Sequence, residues 1–151
     1  YYLAGELALK QGNEKAAIQY LEEAVLLDED YKDAIMLLIN IYKKDNQYDE
    51  IVRLLANVKK LGGADPYYDW ELAKAYNELE EYDKAKESYE EAYFHLADDA
   101  EFLKDYGFFL VEDGSVEKGT KLLTNYVKKQ PDDAETIAFL ERIHFSNEGE
   151  L

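Results

Sequence analysis

Sliding the chain against itself by 34 residues brings the segments beginning at Lys32, Pro66, Ala100 and Ala134 into register without an insertion. No other feature restricts the fold as tightly. A short unit of fixed length, stacked on copies of itself, buries a shared core that one copy could not bury alone. In this frame the eleventh place reads Tyr42, Tyr76 and Leu110, and the seventeenth Tyr48, Tyr82 and Val116. The twentieth reads Ala17, Ile51, Ala85 and Gly119, and the twenty-seventh Ala24, Val58, Ala92 and Tyr126. The expected organisation is one array: a shortened first repeat at 1–31, full repeats at 32–65, 66–99 and 100–133, and a terminal capping helix at 134–145.

The punctuation predicts two helices per repeat. Asp65 precedes Pro66 as an N-cap precedes a first-turn proline, and Asp99 and Asp133 hold the same place. Gly12 and Gly114 fall between first and second helices, and Gly62-Gly63 follows a second helix, where left-handed residues end helical segments. Between these breaks apolar residues recur in steps of three and four, as in Leu72, Ala73, Tyr76 and Leu79, which is helical rather than strand periodicity. The longest apolar run, Ala34 to Ile39, is far shorter than the roughly 20 residues of a membrane helix.

A helix-turn-helix repeat of this period, with small residues where two helices must meet, resembles the tetratricopeptide repeat family. In the third repeat Leu72, Ala73, Tyr76, Tyr82, Ala85, Tyr89 and Ala92 occupy the family's places, and the fourth carries Tyr106, Gly107, Gly114, Gly119 and Pro131-Asp132. The third repeat departs at Asp69, where an aromatic is usual, and places Trp70 one position later. The resemblance implies an all-α, right-handed solenoid of antiparallel helix pairs, about nine helices in all. Tyr76, Tyr82 and Tyr89 are then expected to fill space between helices.

Two departures carry structural expectations. The second repeat has Ile39, Ile51 and Val58 at places that hold glycine or alanine in the first and third repeats, so its helices should stand farther apart. Glu141 occupies the place of Gly107 in a terminal helix with no second helix after it, which suits a polar cap. At the other end Tyr1, Leu3 and Leu7 give the first helix an apolar side, the expected mark of upstream repeats or of a self-association surface.

Charge and composition narrow the function. A formal charge of −17 repels a phosphate backbone, so nucleic acid is not an expected partner. The absence of cysteine removes disulfide and thiolate chemistry. His95 and His144 fall at the ends of different predicted helices without metal-ligand companions, Asp28-Glu29-Asp30 lacks the glycine and spacing of a calcium loop, and Asp98-Asp99 and Asp132-Asp133 stand at cap positions. Without a phosphate loop, nucleophile elbow or zinc-protease pattern, no catalytic residue, cofactor or metal is expected.

The resemblance implies instead a concave groove lined by first helices. Its places map onto Met36, Asn40, Tyr67, Trp70, Glu71, Lys74, Asn77, Glu101, Lys104, Asp105, Phe108 and Glu112. Met36, Glu71, Glu101 and Asp105 stand where family members that clamp acidic chaperone tails need polar or basic groups, so that function is rejected. Carboxylates beside Tyr67, Trp70 and Phe108 suit a basic or amphipathic segment of another protein. The expected function is a non-catalytic, cytoplasmic interaction scaffold. The alternatives are a self-associating structural module, with a homo-oligomer formed through the N-terminal helix, or the peptide-sensing regulatory part of a larger bacterial protein.

Overall fold

The computed structural model describes residues 1–28, 31–63 and 65–149, with side chains through residue 146; Glu29 and Asp30 of the acidic run lie outside the described residues. Among the described residues there are nine α-helices and no strand: α1 (Tyr2–Lys10), α2 (Glu14–Leu26), α3 (Tyr31–Lys44), α4 (Tyr48–Lys60), α5 (Pro66–Glu78), α6 (Tyr82–Leu96), α7 (Ala100–Glu112), α8 (Val116–Lys129) and α9 (Ala134–Gly149). The second helices α2, α4, α6 and α8 begin at strict intervals of 34 residues, as do α5, α7 and α9. Helix α9 runs on to Gly149 rather than stopping at Phe145, because no proline or glycine interrupts it earlier. His144 therefore lies inside a helix and not at its end.

The aspartate caps are formed. Asp99 Oδ1 accepts from the Phe102 amide at 3.1 Å and Asp133 Oδ1 from the Thr136 amide at 3.2 Å, while Asp65 Oδ1 accepts from the Tyr67 amide at 2.9 Å. The turn from first to second helix also repeats. Gly12, Asn46, Glu80 and Gly114, each 34 residues from the next, have φ of 78°, 56°, 61° and 95°. Following each, the amides of Asn13, Gln47, Glu81 and Ser115 donate to the carbonyls of Ala8, Tyr42, Tyr76 and Leu110 at 2.8 to 2.9 Å. This bond closes the first helix with a left-handed residue, and it holds whether that residue is glycine or a strained glutamate.

The described residues pack as two compact units, Tyr1–Ala64 with Lys74–Glu81, and Asp65–Ala73 with Tyr82–Leu151. At the eighth and twentieth places α7 and α8 carry Gly107 and Gly119, and a Cβ on Gly119 would lie 2.8 Å from the Gly107 carbonyl oxygen. In α1 and α2 these places hold Gly5 and Ala17, and a Cβ on Gly5 would lie 2.8 Å from the Leu21 side chain. In α3 and α4 they hold Ile39 and Ile51, both fully buried, so side chains stand at this contact.

Two cores result. In the first unit Leu21, Ile35, Leu38, Ile39, Ile51 and Leu55 are fully enclosed. In the second the largest enclosed residues are aromatic: Tyr89 stacks on Tyr106 at 5.1 Å and 7°, and lies 4.7 Å from Phe109 and 6.2 Å from Phe102. Of the three tyrosines expected to pack, Tyr89 is fully enclosed and Tyr76 half-buried, but Tyr82 is 47% exposed. It opens α6, and the first turn of a helix reaches past the layer it packs on. On α1, Leu3 and Leu7 are exposed, whereas Ile41, Ala75 and Phe109, in register with Leu7, are buried.

Two substitutions test these constraints. A Cβ on Gly119 would lie 2.8 Å from the Gly107 carbonyl oxygen and 2.9 Å from the Val111 amide nitrogen, backbone atoms that cannot turn aside. Gly119→Ala is expected to lower unfolding free energy in urea by about 1–3 kcal/mol despite alanine's higher helix propensity, and unchanged or increased stability would contradict the close approach. Glu80→Gly relieves a left-handed glutamate and is expected to stabilise by about 0.5–1 kcal/mol, because the strain lost exceeds the added chain entropy. A loss of stability would show that the Glu80 side chain compensates.

Candidate functional site

Helix α7 presents Glu101, Lys104, Asp105, Phe108 and Glu112 at spacings of three and four, so all five share one side of the helix. The first four of these, with Ala100, Tyr126 and Gln130, line an open cavity of about 540 Å³. Phe108 packs against Phe139 of α9 at 4.9 Å, which fixes one wall.

The charges in this cavity are unequally committed. Lys104 Nζ lies 2.9 Å from Asp133 Oδ2 and 5.6 Å from the centre of the Tyr126 ring. The same carboxylate oxygen accepts from the Tyr126 hydroxyl at 2.6 Å and the Thr136 hydroxyl at 2.8 Å. The hydrogen bond from Tyr126, then those from Lys104 and Thr136, hold the Asp133 carboxyl well below the usual carboxylate range. Lys104 is correspondingly raised by its bond to Asp133. The lysine is thus drawn to one wall, and Glu101, which is exposed, carries the open charge.

Asp105 has an internal task. Its Oδ2 accepts from Trp70 Nε1 at 2.7 Å and from the Tyr89 hydroxyl at 2.8 Å, so one carboxylate oxygen joins α5, α6 and α7. Burial, then the Asp105 charge, pushes the Tyr89 phenol far above its ordinary value. The Trp70 ring meets Phe102 edge-on at 5.5 Å and Tyr67 at 6.1 Å, and the Tyr67 hydroxyl donates to Asp99 Oδ2 at 3.0 Å. Trp70 is half-buried with its polar edge held inside the protein, and what it offers a ligand is ring surface.

The groove places are thus not equivalent. Glu71, expected on the open face, is only 8% exposed, because α5 turns it inward among the groups that bear on Tyr89. It is removed from the carboxylates a ligand would meet. Met36, Asn40, Lys74 and Asn77 belong to the other unit, where Asn40 is exposed and the rest are half-buried. Tyr126 and Gln130 were missed because they lie on and at the end of a second helix, α8. The available signal was Tyr126 itself, a large ring at a place where the other repeats hold alanine or valine.

Two stretches match family models: residues 8–74 the tetratricopeptide repeat, and residues 66–133 the YpiA-like, C-terminal tetratricopeptide repeats. The chain belongs to the tetratricopeptide repeat family, a class of protein-interaction scaffolds that is typically non-catalytic. It is similar to the TPR repeat-containing protein YpiA of Bacillus subtilis (strain 168), with 37% identity over 123 residues and 82% of this chain covered, and it spans 29% of that protein's length. Among solved structures it superposes on MamA with a TM-score of 0.73 at 14% identity, covering 87% of this chain and 77% of the other. It superposes on the TPR-like repeats of a putative kinesin light chain of Podosopora anserina with a TM-score of 0.63 at 18% identity, covering 87% and 74%. These likenesses are of fold, and they identify the all-α helical repeat of the solenoid class. Among the described residues no helix is long and apolar enough to cross a membrane, and no group of three or more His, Cys, Asp or Glu could hold a metal ion.

The Asp133 network has a pH signature. Its folded carboxyl titrates below the ordinary value, so its contribution to stability is full above an unfolded pKa of about 3.9 and is lost as pH falls through the folded value. Asn at this position keeps the cap but not the charge. The stability difference between wild type and Asp133→Asn is therefore expected to be full at neutral pH and to close as acid is added. A difference constant through the acid limb of urea unfolding would refute the charged network.

Proposed function

We propose that this chain binds a basic or amphipathic segment of another protein along the first-helix face that carries Glu101, Lys104, Asp105, Phe108 and Glu112, with Tyr67 and Trp70 adding ring surface. The observation that carries the reading is the α7 cavity, where an exposed carboxylate and the rings of Phe108 and Tyr126 converge while the one lysine is neutralised by Asp133. A lysine or arginine entering there meets Glu101 and aromatic faces, and its apolar neighbours meet Phe108. Met36, Asn40, Lys74 and Asn77 are proposed as the corresponding places of the other unit. The overall charge of −17 favours rapid encounter with a cationic partner.

Selection of binders from a randomised peptide library tests this reading. Enriched peptides are expected to combine lysine or arginine with apolar residues and to weaken as salt is raised. Glu101→Lys, at an exposed position, and Phe108→Ala, which removes the ring that meets Phe139, are each expected to reduce affinity about 10-fold in chains checked to remain folded. Acidic binders, or binding indifferent to both variants, would refute the assignment.

A further inference from the structure

A second cavity, of about 320 Å³, opens in the first unit between α2, α3 and α4. It shares no residue with the α7 face. Val25, Leu54 and Val58 form apolar wall, and Leu26 and Leu61 stand at its mouth with 69% and 67% of their surfaces exposed. The rim is polar: the Tyr42 hydroxyl donates to Glu22 Oε1 at 3.1 Å, and Arg53 pairs with Glu50. One arginine stands against two glutamates, so the rim carries an excess negative charge.

The internal repeat shows what is missing there. Val25, Leu26 and Val58 stand in register with Tyr93, Phe94 and Tyr126, two repeats later. In the second unit the Tyr93 ring closes over the core, 5.9 Å from Tyr106 and 6.5 Å from Phe102, while Lys118, in register with Glu50, approaches the Tyr106 hydroxyl at 3.4 Å. The counterparts of Phe102 and Tyr106 in the first unit are Ala34 and Leu38. Helices of matching register with side chains this much smaller leave volume that their own residues do not fill.

We propose that this cavity is a second docking site, which takes an aromatic side chain of a partner protein presented beside a lysine or arginine. The ring would supply the volume that Tyr93 supplies in the second unit, Leu26 and Leu61 would clasp its edges, and the adjacent cation would meet the negative rim. Charge complementarity distinguishes this occupant from a free apolar molecule, which has no use for Glu22 and Glu50.

The probes are the blocked tripeptides acetyl-Lys-Phe-Lys-amide, acetyl-Lys-Ala-Lys-amide and acetyl-Glu-Phe-Glu-amide, followed by methyl NMR of the intact chain. The first is expected to shift the methyl signals of Val25, Leu26, Leu54, Val58 and Leu61 saturably. The alanine peptide should bind about 10-fold more weakly, the contribution of burying one ring, and the glutamate peptide should also bind more weakly. Val25→Tyr, which installs the residue of the second unit, and Leu61→Lys, at an exposed position, should each abolish the shifts. Glu101→Lys and Phe108→Ala should leave them unchanged, which separates this site from the α7 face. Silent methyls, equal binding of the phenylalanine and alanine peptides, or no preference for lysine over glutamate would overturn the proposal. Should Val25→Tyr fail to fold, undiminished binding by folded Leu61→Lys would overturn it equally.

Discussion

The architecture depends on how closely the two helices of a repeat approach at the eighth and twentieth places. Where both are glycine, as at Gly107 and Gly119, a Cβ on Gly119 would meet the Gly107 carbonyl oxygen at 2.8 Å and one on Gly107 would lie 3.2 Å from the Gly119 carbonyl oxygen, so the helices touch through their main chains. Gly5 with Ala17 reproduces the contact one size larger, with a Cβ on Gly5 falling 2.8 Å from the Leu21 side chain. Ile39 with Ile51, both fully buried, puts side chains at the contact in place of glycine. The volume that the remaining side chains must fill is set by that distance, because protein interiors close to a nearly constant density.

The two units fill that volume differently. The second closes around a tyrosine and phenylalanine cluster whose pairs lie at centroid separations where each contributes about 0.5–1.5 kcal/mol beyond its buried area. Burial drives the Tyr106 phenol up to about 12 and the Tyr89 phenol beyond it, so both stay neutral and act as donors or ring surfaces rather than charges. The polar tip of Tyr89 is satisfied by Asp105, which is why a carboxylate on a first-helix face can be structural on one side and lie beside a cavity on the other. The first unit uses largely aliphatic residues, and it leaves a cavity lined by α2, α3 and α4.

Much of this was legible in order along the chain. The period placed the helix starts, and the aspartate and glycine punctuation placed the caps and two of the turns. Asn46 and Glu80 were not read as left-handed, although they stand in register with Gly12 and Gly114, because residue type alone argues against that conformation for glutamate. At the site, Glu101, Lys104, Asp105 and Phe108, which the resemblance placed on one face, line one cavity because a single helix carries all four. It did not reveal that Asp133 holds Lys104, that Trp70 spends its N–H on Asp105, or that Glu71 turns inward.

The sequence by itself determined the repeat length, the number and limits of most helices and the acidic character of the surface, because each follows from local periodicity, capping or composition. The tertiary structure decided which groups on a given face remain open. That outcome depends on hydrogen bonds between residues some 7 to 35 positions apart, such as Tyr126 to Asp133 and Trp70 to Asp105, and on volumes shared among three helices. No pattern along a single helix encodes either quantity.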